Sequence, residues 1–187
     1  MNYKILGFSV IIASFISVIL FSFTSTDNAD LIKTDFIANL TPDIISDNLN
    51  YDNYELTSYL TNKKVSLSVY KGKILLLNFY EPWCSACNKE FFALNEFAQK
   101  YKNRVEVISV SSGEDMEMLN EWHSKWRYKN IKFYIDKSNK LTQYFKVRSI
   151  PATYLVNKNS DIHYQFIGDR NYLSLSFFNY IDYLLSK

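Results

Sequence analysis

Cysteine is scarce in this 187-residue chain, which holds two, and so are histidine with two, proline with three and glycine with four. Two cysteines cannot build the disulfide framework of a small secreted scaffold. Together with His123 and His163 they fall short of a zinc site, which needs about four ligands, because neither histidine sits as a second ligand couplet. No internal repeat or low-complexity tract is present. Charge of one sign is also lacking: the formal balance is +2, with lysines scattered among acidic residues, so no nucleic-acid surface is implied. The 15 tyrosines and 14 phenylalanines fall mostly at strand and helix core spacings, which core packing explains.

Residues 1–23 contain the one long apolar run, the 19 uncharged residues Ile5 to Phe23, enough to cross a hydrocarbon layer of roughly 30 Å. Lys4 and the amino terminus precede it and Asp27 and Asp30 follow, so the positive-inside rule expects the rest of the chain outside the cytoplasm. The reading is a single-pass anchor in a bacterial inner membrane with the domain facing the periplasm. A cleaved signal peptide is the rival, although no small-residue A-x-A-like site follows the run. No cysteine follows it either, which excludes a lipid-modified N-terminal cysteine.

Residues 24–50 are rich in Asp, Asn, Thr and Ser without a sustained apolar period, and are expected to be a polar spacer. Residues 51–187 are the size of one domain. Two short strands around Thr61-Asn62-Lys63-Lys64 lead to a strand over 74–79. Then come a helix over about 86–101, a strand over 105–110, a helix over about 115–127, a strand over 132–135, a short helix near 141–145, strands over 152–156 and 162–167, and a final helix near 172–185. Alternation followed by an antiparallel pair indicates an α/β fold, a mixed sheet covered on both faces.

The two cysteines stand three apart in Trp83-Cys84-Ser85-Ala86-Cys87, where the strand feeds a helix. Cys84 there faces unpaired backbone N–H groups and the positive end of the helix dipole, which favour thiolate over thiol. Cys87, on the same helix face, can reach it to close a small disulfide ring. Cys84 is the expected nucleophile and Cys87 the resolving thiol. The competing readings are half a metal site, a purely structural disulfide, which would constrain the unfolded chain little in so short a loop, and two inert buried thiols. Glu90 lies three residues after Cys87 at the edge of the apolar helix face, so its pKa rises if it is desolvated. Its bland alternative is a first-turn acid complementing the helix dipole.

The order strand, Trp-Cys-x-x-Cys, helix, then Ser149-Ile150-Pro151-Ala152-Thr153 resembles the thioredoxin fold, and in detail the TlpA/ResA group, over about residues 51–187. The segment from Lys64 to Lys73 is similar to that group's opening hairpin, and the segment from Leu77 to Phe91 to its active site. The resemblance implies a thioredoxin-like fold with an added N-terminal β-hairpin, a cis Ile150-Pro151 bond against the cysteine pair, and a docking surface made of Trp83, Ile150 and Pro151. It gives Glu90 charge of the proton of Cys87. Asn78 occupies the position of thioredoxin's buried acid and cannot carry a proton, so Glu90 is its expected replacement. Thr153 is expected to pack structurally beside the site.

The activity this implies is extracytoplasmic thiol-disulfide exchange, reducing disulfides of client proteins and recharged by a membrane electron donor. No cofactor is expected beyond the Cys84-Cys87 disulfide. Gly168-Asp169 is similar to the CcmG-type proteins of cytochrome c maturation, whereas Ala152 stands where those often carry an acid, so a role in that process is open. Ser-Ala between the cysteines matches neither thioredoxin nor strong oxidases, and Glu81-Pro82 before Trp83 is expected to alter the docking rim. A peroxidase is excluded by Glu81 standing three residues before Cys84, where a Thr or Ser is needed. The alternative function is a Sco-like copper metallochaperone, although those carriers use a wider cysteine spacing plus a histidine.

Overall fold

In the computed structural model, residues 28–40 and 42–187 are described. The run Ile5 to Phe23 lies outside them; among the described residues no helix is long and apolar enough to cross a membrane.

Among the described residues eight strands form one sheet: β1 (Asp43–Asn48), β2 (Glu55–Ser58), β3 (Lys64–Ser66), β4 (Ile74–Phe79), β5 (Val105–Ser111), β6 (Lys132–Ile135), β7 (Ala152–Val156) and β8 (Asp161–Ile167), in the spatial order β1-β8-β7-β4-β5-β6-β2-β3. The helices are α1 (residues 28–40), α2 (Ser85–Lys100), α3 (Met116–Lys125), α4 (Lys140–Tyr144) and α5 (Leu175–Leu185). Central β4 pairs parallel with β5 and antiparallel with β7. It is buried at every position, which is why it reads as a near-continuous apolar run, interrupted only by Asn78, rather than an alternating one.

The two faces of β4 feed two cores. Ile74 and Leu76 pack among α1, α2, α3 and α5, while Leu75, Leu77 and Phe79 face Tyr51, Leu67, Tyr70 and Leu141 on the other side. By that alternation Asn78 looks toward α2. The mixed sheet covered on both faces is as the sequence implies, and the β2–β3 hairpin adds to it beside β6.

The polar-spacer reading of residues 24–50 requires correction. Residues 28–40 are helical, and Asp43–Asn48 form a strand paired antiparallel with β8. Ile32, Phe36 and Leu40 recur every fourth residue with Ile37 beside them, a stripe one side chain wide that the surrounding Asp, Asn and Thr obscure. Phe36 is fully buried, stacking on Tyr180 with ring centroids 4.1 Å apart and meeting Tyr164, Phe166 and Phe177. Phe36→Ala is expected to lower unfolding free energy by about 3–5 kcal/mol, read as the midpoint of urea denaturation. A loss below about 1 kcal/mol would show that α1 is not part of the core.

Candidate active site

Cys84 is the N-cap of α2. Its sulfur accepts the N–H of Cys87 at 3.1 Å, and the two residues are joined as a disulfide with Cα atoms 5.3 Å apart. Cys84 is 6 % exposed and Cys87 fully buried, so of the two residues only the first reaches solvent. Trp83 beside it is 65 % exposed, a large apolar surface at the mouth of the site.

The Ile150-Pro151 bond is cis, and Pro151 is buried. Strand register brings it to the pair: Ala152 lies opposite Phe79, so Pro151 sits at the end of β4 from which the chain runs into Pro82-Trp83-Cys84. The Pro151 carbonyl is taken by the Gly168 N–H at 2.8 Å, which ties this loop to the end of β8.

Cys87, Glu90, Leu94 and Phe97 share the buried face of α2. Glu90 is 2 % exposed, which the dipole-complementing alternative does not allow. The Asn78 side-chain amide donates to Glu90 Oε1 at 2.7 Å and to Thr153 Oγ1 at 3.0 Å, so the two residues expected to be structural form one buried unit with the acid. Burial pushes the Glu90 carboxyl up to about 8. The Asn78 hydrogen bond opposes the rise, the charge of Asp169 adds to it, and the backbone and guanidinium of Arg170 oppose it.

Tyr172 was not legible in the sequence. It is fully buried with its hydroxyl toward Glu90 and Thr153, in hydrogen-bond geometry with neither. Glu90 Oε2 and Asn78 Oδ1 are likewise without partners, as is Nε of Arg170, whose guanidinium acts on Glu90. Burial, and next the charge of Glu90, raise the Tyr172 hydroxyl far above its ordinary value. Nothing local distinguishes this tyrosine; only the closure of segment 168–172 over α2 brings it in.

Glu81 is half-buried at the start of the active-site loop. Its carboxylate accepts the Ser112 N–H at 2.6 Å and the Ser111 hydroxyl at 2.8 Å, clamping the loop before the cysteines to the end of β5, and Pro82 is buried.

The two histidines are occupied elsewhere. His123 Nε2 is 3.1 Å from the Tyr80 hydroxyl, its ring lies face to face with Tyr59 at 3.7 Å, and burial lowers its pKa to about 4. His163 Nε2 is 3.0 Å from the Asn157 amide, beside Ile162, which pairs with Val156 and through it with Leu75 at the opposite end of β4 from the disulfide. Among the described residues no group of three or more His, Cys, Asp or Glu could hold a metal ion.

The model of the AhpC/TSA family matches residues 50–165. The chain belongs to the AhpC/TSA family. Among the curated relatives of this family member, thiol-disulfide oxidoreductase ResA of Bacillus thuringiensis (strain Al Hakam) is 32% identical over 112 residues, 59% of this chain and 64% of that protein. The chain thus aligns with under two thirds of that relative's length. The pneumococcal exposed lipoprotein thioredoxin Etrx1 of Streptococcus pneumoniae superposes with a TM-score of 0.59 at 25% identity, over 72% of this chain and 98% of that one. StoA of Bacillus subtilis superposes with a TM-score of 0.57 at 19% identity, over 66% and 92%. The fold is thioredoxin-like.

Proposed function

We propose that this protein is an extracytoplasmic thiol-disulfide oxidoreductase that reduces disulfides of client proteins. The observation that carries the proposal is the Cys84–Cys87 pair at the start of α2, with Cys84 slightly exposed, Cys87 fully enclosed, and a buried acid one turn further along the same helix face.

In the reduced protein the Cys84 thiolate attacks a client disulfide, forming a mixed disulfide and releasing the first client thiolate. Cys87 gives its proton to ionised Glu90, and its thiolate attacks the Cys84 sulfur. The second client thiolate leaves, and Cys84 and Cys87 are joined. The client gains two electrons and the domain loses two. Glu90 ends this cycle carrying a proton, which agrees with a carboxyl held at about 8 in the disulfide-bonded form. When an external thiol reopens the disulfide, the same proton is available to the departing Cys87.

Trp83, Ile150 and Pro151 would receive the client chain; exposed Trp83 supports this. The anchor is the apolar run Ile5 to Phe23, and the electron source a membrane-embedded thiol donor. Ala152 stands where CcmG-type proteins often carry an acid, while Gly168-Asp169 is similar to theirs, so the proposal stays with a general client-disulfide reductase. Copper carriage draws no support from either histidine, since each is engaged away from the sulfurs.

Equilibration with glutathione buffers, followed by thiol alkylation, is expected to give a midpoint well below the roughly −120 mV of a strong oxidant; a midpoint near that value overturns the reductase direction. Protease treatment of intact spheroplasts is expected to degrade the domain while the protein fractionates with membranes, and recovery from the cytosol overturns the placement.

A further inference from the structure

A cleft of about 630 Å³ opens between the β2–β3 turn and the connection from α3 to β6, sharing no residue with the disulfide, Glu90 or Pro151. That volume lies in the range of small-molecule sites, roughly 300–1,000 Å³. Its walls are aromatic, with Tyr59, Trp126, Tyr128 and Phe133 lining it. The Trp126 and Tyr128 rings are within 4° of parallel with centroids 6.3 Å apart, and Trp126 is 46 % exposed, with Leu60 on the same cleft 89 % exposed. Large apolar side chains grouped in a concavity mark binding surfaces more often than isolated ones do.

The cleft also has a charge. Arg127, Lys129 and Lys132 line it and no carboxylate does. Lys132 is engaged by Glu106, while Arg127 and Lys129 have no ion-pair partner among the described residues. Nor is the surface loose. The Tyr59 hydroxyl donates to Asn120 Oδ1 at 3.0 Å and its ring stacks on His123, which fastens the hairpin to α3 and fixes one wall before any ligand arrives.

We propose that this cleft binds a small planar aromatic anion, an aryl carboxylate or sulfonate, with the ring against Trp126 and Tyr128 and the anionic group toward Arg127 and Lys129. Stacking supplies contact area, and the two free cations select charge.

The test titrates the full chain, in lipid nanodiscs, with naphthalene-2-sulfonate by calorimetry, with empty discs subtracted. One saturable site per chain is expected. The double variant Arg127→Glu, Lys129→Glu should weaken binding by about tenfold or more, and Trp126→Ala should weaken it as well. Uncharged 2-naphthol should bind more weakly than the sulfonate. Both variants should retain the wild-type melting temperature and disulfide-reductase turnover. The proposal is overturned by the absence of a saturable heat, by an unchanged affinity in the charge-reversed variant, or by equal binding of 2-naphthol. It is equally overturned if an acidic aromatic peptide binds the cleft and the sulfonate does not.

Discussion

Replacing Cys84 with Ser is expected to reduce client-disulfide reduction to the uncatalysed rate, whereas replacing Cys87 with Ala is expected to leave the protein covalently joined to its clients. The two sulfurs are inequivalent by position. Cys84 caps α2 beside exposed Trp83 and is itself slightly exposed, where the positive helix end stabilises a thiolate, and Cys87 is fully enclosed by the core. A client disulfide can therefore be attacked by Cys84, and the mixed disulfide is then resolved from beneath. Without Cys87 the second displacement has no nucleophile and the adduct persists. Non-reducing electrophoresis with mass spectrometry of Cys87→Ala should show adducts through Cys84 that dithiothreitol removes. If Cys84→Ala traps clients and Cys87→Ala does not, the assigned roles are reversed.

The second large effect concerns Glu90→Gln and the dependence of stability on pH. The Glu90 carboxyl titrates at about 8 when folded against an ordinary value of 4.5, so between those values the folded state holds a proton that the unfolded state has released. Stability from this group is therefore complete below about pH 4.5 and is lost progressively as pH rises toward 8. At ~1.4 kcal/mol per tenfold change in proton affinity, the loss is bounded at roughly 5 kcal/mol. Gln keeps the shape without the charge, and its extra N–H can be taken by Asn78 Oδ1, which has no partner in the native site. Urea denaturation of the oxidised proteins at pH 4 and pH 9 is expected to show similar stability at the lower pH and a variant more stable by a few kcal/mol at the higher. Curves that stay parallel across that range would mean that Glu90 ionises freely. The same variant should lose the pH dependence of the resolving step, because Gln cannot take the Cys87 proton.

What the sequence disclosed and what it withheld follow from how local each feature is. The cysteine pair, Glu90 and the β2–β3 hairpin belong to contiguous strand–turn–helix or strand–turn–strand patterns, and each lies where those patterns imply. Asn78 and Thr153 were legible as neighbours of the site, yet their joint hold on Glu90 depends on β4 and β7 pairing 75 positions apart in the chain. Helix α1 was missed because its apolar stripe acquires meaning only against Tyr164, Phe177 and Tyr180, which come more than 120 residues later. Tyr172 is one of 15 tyrosines, and only burial beside a carboxylate sets it apart. Glu81 was legible as a neighbour of the docking rim but not as a clamp, because Ser111 and Ser112 come from the end of β5 to bind it.

The strand that begins the sheet also guards it. An eight-stranded sheet leaves two outer backbones able to recruit another molecule, and β1 is one of them. Its register breaks between Ile44 and Asp47, and Asp43 and Asp47 stand exposed along it, so a second copy approaching that margin meets an irregular ladder and like charges. The opposite margin, β3, is only three residues long. Crowded copies of this chain should therefore resist fusing their sheets into fibrils.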